Sequence, residues 1–226
     1  GFSEKPKRPS MINRHPVIVA ALLLGFFAVL GTALVAVTHE ATVERIAENQ
    51  RRALLEKLYQ LIPVDEIDND MLADTVNVSN PELLGAKQTK VYIGRKNNHP
   101  VAAVFESVAP DGYSGTINLL IAVRLDGTLG GVKVVSHRET PGLGDKIDEE
   151  KSDWILGFAG KSLLSPQESR WKVKRDGGEF DQFTGATITP RAIVKAAKNT
   201  LLFYRDNQEM LFKIKADNVS TRETAS

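Results

Sequence analysis

The hydrophobic residues of this 226-residue chain are concentrated most densely near its N-terminus. Residues 16–38, PVIVAALLLGFFAVLGTALVAVT, include no charged side chain over 23 positions. A membrane-spanning helix needs about 20 consecutive, mostly apolar residues. The apolar region of a signal peptide is shorter, at about 7 to 15 residues, and a buried core helix is the remaining alternative. The pattern therefore predicts a transmembrane helix at 16–38.

Charges on either side of this segment predict its orientation. Four basic residues precede it: Lys5, Lys7, Arg8 and Arg14. The first charged residues after it are acidic, Glu40 and Glu44. Because basic flanks favour the cytoplasmic side, we expect a cytoplasmic arm at 1–15 and the rest of the chain outside. In a bacterium, this is a single-pass protein of the inner membrane with a periplasmic C-terminal domain.

Beyond the predicted span, apolar residues recur at helical spacing among charges. They are Val43, Ile46, Leu54, Leu55, Leu58 and Leu61. Pro63 ends this pattern, and the following residues to 85 contain acids and the turn signal Asn80-Pro81. Segment 39–85 is therefore predicted to be an amphipathic helix followed by an irregular connection.

Four runs of β-branched and other apolar residues follow, at 90–95, 101–107, 116–125 and 129–136. The residues between them are typical of hairpins: Asn97-Asn98, Pro110-Asp111-Gly112 and Asp126-Gly127. Short turns between consecutive strands predict an antiparallel sheet.

Three further elements are predicted after the sheet: a short helix at 150–158, a strand at 170–174 and a longer helix from Pro190 to about Asn207. Together with the sheet they predict an α+β fold, in which a domain at 86–216 has an antiparallel sheet and flanking helices. A polar tail occupies 217–226.

Composition narrows the chemistry. The chain has no cysteine, which excludes disulfides, thiolate metal sites and cysteine-held iron–sulfur clusters. Its four histidines are scattered singly, so a metalloenzyme is not expected. With 29 basic and 28 acidic residues, it lacks the charge of a nucleic-acid binder. No G-x-G-x-x-G fingerprint for NAD is found. Redox work by this chain therefore requires an organic cofactor.

Segment 181–190, DQFTGATITP, carries the most specific chemistry. Thr189 followed by Pro190 predicts a helix start, with the threonine as N-cap and the proline at the first helical position. The preceding 184–187, Thr-Gly-Ala-Thr, is then a small-residue loop at a helix N-terminus, which suits a phosphate group. The residues alone favour the simpler interpretation, a capped helix after a small-residue turn.

The same segment resembles the D-x-x-(S/T)-G-A-T signature of the bacterial FMN-binding domain. This family includes the G subunit of the Rnf electron-transport complex and the C subunit of the sodium-translocating NADH:quinone oxidoreductase. The resemblance implies that a flavin transferase joins the FMN phosphate to the hydroxyl of Thr187 as a phosphoester. It also implies that the transferase recognises Asp181. Four neighbours are expected around the covalent FMN: Thr184, Gly185, Ala186 and Thr189.

A second block supports the match. Residues 139–144 are similar to the E-T-P-G-L-G loop of the family, and residues 112–115 to its G-Y-S-G turn. We expect Thr140 and Leu143 to contact the flavin, with Pro141 and Gly142 shaping the backbone. Glu139 is expected to hydrogen-bond either the flavin ring or a backbone amide.

The resemblance implies an electron-transfer subunit of a membrane-bound, ion-translocating ferredoxin:NAD oxidoreductase, which is not catalytic alone. Its implied partners are the other membrane subunits, among them a second flavin-bearing subunit and iron–sulfur-bearing subunits, and the flavin transferase during maturation. The length of 226 residues favours the Rnf G subunit over the C subunit of the quinone oxidoreductase, which is longer. One alternative is the C subunit of the sodium-translocating NADH:quinone oxidoreductase, and another is a membrane-anchored binding or scaffold protein without flavin. A third, a freestanding flavin reductase, is disfavoured because the chain lacks a nicotinamide-binding motif.

Overall fold

The computed structural model describes residues 14–213, which divide into two units at 14–52 and 53–213. The predicted polar tail at 217–226 lies outside the described residues, as does the predicted arm apart from its last two positions.

The first unit belongs to one long helix, α1 (Arg14–Leu61). Its stretch Ile18–His39 has a mean hydropathy of 2.6 and none of it is buried by the rest of the protein, so it is long and apolar enough to cross a membrane. The hydroxyls of Thr32 and Thr38 donate to the carbonyls of Ala28 and Leu34, at 2.8 and 2.7 Å, so both hydroxyls of this stretch are satisfied within the helix. The predicted span and the predicted amphipathic helix are thus parts of one continuous helix.

The second unit is built on a five-stranded antiparallel sheet with the strands in sequence order. The strands are β1 (Thr75–Val78), β2 (Thr89–Lys96), β3 (His99–Gly112), β4 (Gly115–Arg124) and β5 (Leu129–Ser136). The α+β class and the four predicted strands are confirmed.

The first hairpin turn lies at Asn97-Asn98, as predicted, and both asparagines have positive φ, 50° and 63°. The second turn is displaced from its predicted place at 110–112. Strand β3 continues through a bulge to Gly112, so Tyr113 and Ser114 form the turn.

The prediction of an irregular connection at 63–85 was wrong, because this segment contains strand β1 and the short helix α2 (Pro81–Leu84). The turn signal Asn80-Pro81 is a helix start: the Asn80 side chain accepts a hydrogen bond from the amide of Leu83 at 3.0 Å. Strand β1 has only four residues, too few for its alternation to be read from the sequence.

Each face of the sheet is covered. Helix α3 (Ile188–Lys213) packs on one face, where Phe105 of β3 meets Phe203 edge to face at 6.0 Å between ring centroids. The opposite face is covered by the C-terminal end of α1, whose Leu58 is fully buried with Tyr92 and Val104. A buried hydrogen bond between the hydroxyls of Ser107 and Thr200, 2.9 Å apart, also ties α3 to the sheet.

Between β5 and α3 the chain has no regular strand, and four 3-10 helices follow one another: Gly144–Ile147, Asp153–Phe158, Glu168–Arg170 and Lys174–Asp176. The short helix expected at 150–158 is the second of these. The strand expected at 170–174 was wrong. Trp171 and Val173 are buried and Lys172 is exposed, so the alternation is real, but Val173 makes only a single bridge, to Phe180.

Helix α3 also differs from its prediction at both ends, since it begins at Ile188 and continues to Lys213. Its first main-chain hydrogen bond joins the amide of Arg191 to the carbonyl of Thr187 at 3.3 Å. Thr187 therefore occupies the N-cap position that was predicted for Thr189.

Two buried tyrosines are expected to make the folded protein less stable at alkaline pH. Burial, and then the hydrogen bond that its phenol donates to Glu106, raises the pKa of Tyr92 above its usual value, and burial raises the pKa of Tyr204 to about 12. In the unfolded chain both phenols ionise near pH 10. Their contribution to the free energy of unfolding is therefore complete below that pH, and it is lost as the pH rises towards the pKa values of the folded state. We expect the urea midpoint to fall between about pH 9 and 12, and to fall less in a Tyr92→Phe/Tyr204→Phe variant. An equal decline in both proteins would contradict this assignment.

Candidate functional site

A cavity of about 300 Å³ lies at the N-terminus of α3. Three segments line it: Tyr113 from the turn between β3 and β4, the loop 139–144 that follows β5, and residues 185–189. Seven of the eleven predicted site residues line this cavity, and four do not: Pro141, Gly142, Asp181 and Thr184. The topology thus brings together the two sequence blocks that lie about forty residues apart.

The loop 139–144 is a compact turn. The carbonyl of Thr140 accepts hydrogen bonds from the amides of Leu143 and Gly144, at 3.1 and 3.0 Å. Gly142 has φ of 77°, a left-handed conformation that favours glycine. Pro141 and Gly142 therefore shape the backbone, and the turn leaves Leu143 on the rim of the cavity, 43% exposed.

The segment 183–187 is anchored in the second unit by aromatic packing. Phe183 is buried, and its ring lies 5.1 Å from that of Trp154. The indole N–H of Trp154 also donates to the carbonyl of Asp181 at 2.8 Å. From this anchor the chain turns at Gly185, which has φ of 81°, and the amide of Ala186 donates to the carbonyl of Phe183 at 3.2 Å.

Free main-chain donors follow this turn. Within the described part of the chain, the amides of Thr187, Ile188 and Thr189 have no hydrogen-bond partner. Pro190 has no amide hydrogen. Free amides at the positive end of a 26-residue helix form a site for an anion.

Glu139 is buried beside these donors, with 4% of its surface exposed. Its Oε1 accepts a hydrogen bond from the amide of Ser114 at 2.9 Å, and its Oε2 accepts one from the Thr189 hydroxyl. Glu139 was expected to hydrogen-bond either the flavin ring or a backbone amide, and in the structure it bonds a backbone amide, that of Ser114. The hydroxyl of Thr189, predicted to cap the helix, is instead buried and bound to this carboxylate.

His137 holds the start of the 139–144 loop through hydrogen bonds of both ring nitrogens. Its Nδ1 accepts a hydrogen bond from the amide of Glu139 at 2.9 Å, and its Nε2 lies 3.0 Å from Oδ2 of Asp148. Because Nδ1 is an acceptor, the ring hydrogen is on Nε2 and points to the carboxylate. This is a structural role at the start of the loop.

The three threonine hydroxyls of the motif have different surroundings. Thr184 is exposed and outside the cavity lining, Thr189 is fully buried, and Thr187 is half-buried and lines the cavity. No hydrogen bond is made by the Thr187 hydroxyl within the described residues. Thr187 is therefore the hydroxyl that is both accessible and close to the free amides.

Asp181 lies outside the cavity on an exposed surface. Its carboxylate is 68% exposed and pairs with Lys174 at 2.7 Å. An exposed pair of this kind contributes little to stability. The carboxylate is thus available to another protein.

The residues present fit FMN. The free amides and the hydroxyl of Thr187 suit its phosphate, while the rim offers Tyr113, Leu143 and Ile188, which are 69, 43 and 44% exposed, to an apolar ring. Sequence reasoning named neither Ile188 nor the amide of Ser114 as part of the site. Ile188 carries no signal of its own, and the role of a backbone amide is visible only in the fold.

Comparison with known families agrees with the geometry. The FMN-binding domain family matches residues 112–202, which include all three segments that line the cavity. The RnfG N-terminal region family matches residues 11–61, which include the whole of α1. The second unit thus contains an FMN-binding domain.

Whole-chain relatives agree with both matches. The G subunit of the ion-translocating oxidoreductase complex of Shewanella loihica is 47% identical over 88% of this chain and 94% of its own. The G subunits of the same complex from Vibrio atlanticus and Pseudoalteromonas atlantica are 47 and 46% identical, over 84 and 91% of this chain and 91 and 95% of their own. The chain belongs to the family of G subunits of ion-translocating oxidoreductase complexes. The resemblance to this family is confirmed.

Proposed function

We propose that this chain carries FMN in a membrane-bound ion-translocating oxidoreductase complex and that the FMN is attached to Thr187 through a phosphoester. One observation carries the proposal: Thr187 alone among the three threonines of the motif combines access, a position in the cavity lining and adjacent free amides. The relatives are named as subunits of such a complex, and the domain family is named for FMN.

Attachment requires an activated donor, for which a flavin dinucleotide is suitable. The Thr187 oxygen forms a bond to the FMN phosphorus, the pyrophosphate bond breaks and AMP leaves, while the hydroxyl proton is released. No group is oxidised or reduced in this step. The free amides of Ile188 and Thr189 would hold the phosphate oxygens, and the helix dipole would stabilise their charge.

Once bound, FMN would supply the electron-transfer chemistry, and the protein would supply its attachment and orientation. The exposed side chains of Tyr113, Leu143 and Ile188, which line the cavity, would hold the ring and exclude water from it. Thr140 and the glycine turn at 142 keep Leu143 in place. A phosphoester leaves the ring unmodified, so these contacts orient the ring and tune its potential.

The proposal is tested by denaturing electrophoresis of the protein produced together with a flavin transferase. Flavin fluorescence that stays with the protein band supports attachment. A band without fluorescence, from protein whose native host makes the transferase, contradicts it and favours an anchored protein without covalent flavin.

We propose further that the apolar part of α1 spans the bacterial inner membrane once, with the N-terminus in the cytoplasm and the FMN-binding domain in the periplasm. The proposed partners are the other membrane subunits of the complex, including a second flavin-bearing subunit and iron–sulfur-bearing subunits. During maturation, the partner is the flavin transferase, which recognises the exposed carboxylate of Asp181.

Topology is tested with a reporter fused after Ser226. Alkaline phosphatase, which needs an oxidising compartment to form its disulfides, is expected to be active in this fusion, because basic residues precede the apolar stretch. The same reporter fused before the span is expected to be inactive. The reverse result would invert the proposed orientation.

A further inference from the structure

We propose that Glu139 is a positioning residue for flavin attachment, which fixes the N-terminus of α3 through the hydroxyl of Thr189 and thereby presents Thr187 at the cavity. The inference rests on the proposed function and adds a residue that acts without touching the attached phosphate. Its basis is a three-way junction: the Glu139 carboxylate joins the 139–144 loop, the turn at Ser114 and the first turn of α3.

The burial of this carboxylate needs an explanation. A carboxylate that is 4% exposed is costly unless hydrogen bonds replace its water. Within residues 14–213, Glu139 forms no ion pair, so its compensation comes from the amide of Ser114, the hydroxyl of Thr189 and the positive end of α3. An apolar side chain would fill this space without that cost, which indicates that the charge serves the site.

Two glycines make room for the junction. A Cβ added to Gly144 would lie 2.9 Å from the Cβ of Glu139 and 3.0 Å from the hydroxyl of Thr189. A Cβ added to Gly112 would lie 3.0 Å from Oε1 of Glu139 and 2.2 Å from the carbonyl of Gly115. The carboxylate is thus enclosed on two sides, and its position is set by close packing as well as by hydrogen bonds.

The junction acts on Thr187 through the helix. Thr189 is two residues after Thr187 and is fully buried, so its bond to Glu139 fixes the direction in which the first turn leaves the 184–187 loop. The same bond engages the hydroxyl of Thr189, which excludes this residue as a second attachment point. Glu139 therefore contributes both to the placement of Thr187 and to its selection.

The test measures the rate at which purified transferase, supplied with FAD, modifies the full-length chain in detergent, followed by intact mass. We expect Glu139→Ala and Thr189→Val each to slow modification about tenfold or more, the size of effect expected when a charge-assisted hydrogen bond is lost. We expect the double variant to be no slower than the slower single variant, because both substitutions remove one interaction.

Conservative variants provide a rescue. Thr189→Ser keeps the hydroxyl and is expected to restore most of the rate. Glu139→Gln keeps one acceptor for the amide of Ser114 and presents a donor to the Thr189 oxygen, so it is expected to be faster than Glu139→Ala. For each slowed variant as substrate, we expect the kcat of the transferase to fall and its KM for the chain to change little. The reason is that the exposed surface around Asp181, which the transferase recognises, is unaltered.

Thr200→Val is the matched control. Thr200 lies on the same helix, is also fully buried and also forms a hydroxyl hydrogen bond, to Ser107. We expect it to lower the melting temperature by about as much as Thr189→Val while leaving the modification rate unchanged.

The results separate the two proposals. Wild-type protein that is not modified at Thr187 overturns the proposed function. Wild-type protein modified at Thr187, with Glu139→Ala and Thr189→Val modified at the wild-type rate, overturns the role of Glu139 alone. Slowing by Thr200→Val equal to that by Thr189→Val also overturns it, because the effect is then one of general stability.

Discussion

Replacing Thr187 by valine is expected to abolish covalent attachment of FMN. Valine has nearly the shape of threonine and lacks the oxygen that forms the phosphoester, so the domain should fold while the reacting atom is missing. Neither other threonine of the motif can substitute: Thr189 is buried and bound to Glu139, and Thr184 is outside the cavity lining. After production with the transferase, the variant's band on a denaturing gel should show no flavin fluorescence, and its intact mass should be that of the unmodified chain.

Two controls accompany this variant. Thr184→Val makes the same chemical change three residues earlier and is expected to retain the fluorescent band. Thr187→Ser keeps a hydroxyl at the attachment position and is expected to retain it as well. A fluorescent Thr187→Val band would contradict the proposed attachment site, and loss of flavin from Thr184→Val alone would reassign it.

Replacing Phe158 by alanine is expected to lower the free energy of unfolding of the second unit by about 3–5 kcal/mol, the usual cost of deleting a buried aromatic ring. Phe158 is fully buried and stacks on Phe180 at 4.8 Å between centroids. Its ring also meets those of Trp154 and Trp171 at 5.2 and 6.4 Å. Packing of these rings, and not strand pairing, holds the segment that precedes the attachment loop.

The chain offers a direct readout for this variant. Its only two tryptophans are Trp154 and Trp171, so tryptophan fluorescence during urea unfolding in detergent reports on this cluster. Phe26→Ala is the matched control, because Phe26 belongs to the apolar stretch of α1 and is 61% exposed. We expect it to leave the unfolding transition unchanged. A loss below about 1 kcal/mol in Phe158→Ala would show that the cluster contributes little.

The sheet could be predicted because its signals are local. Strands β2 to β5 have the length and composition of strands, and Asn97-Asn98 and Asp126-Gly127 are turn sequences. The segment at 170–174 shows the limit of this reasoning. Its alternation is that of a strand, yet the inward side chains pack on aromatic rings, and a strand requires a partner that local sequence does not specify.

The site was predictable in its parts and not in its connections. The motif at 181–187 and the loop at 139–144 were both recognised, and residues of each, among them Thr187 and Leu143, line one cavity. Thr189 was misplaced because Thr-Pro is a strong N-cap signal, while the hydroxyl is used by Glu139, fifty residues away in sequence. Only the tertiary fold brings that carboxylate to the helix, so the assignment required the structure.

The most direct test of covalent flavin at Thr187 is peptide mapping of the chain purified from membranes of its native host. After denaturation and proteolysis, we expect the peptide that contains Thr187 to carry the mass of FMN less one water, with fragmentation placing the added mass on that residue. An unmodified Thr187 peptide, or flavin recovered on another residue or only as free FMN after denaturation, would contradict the proposal.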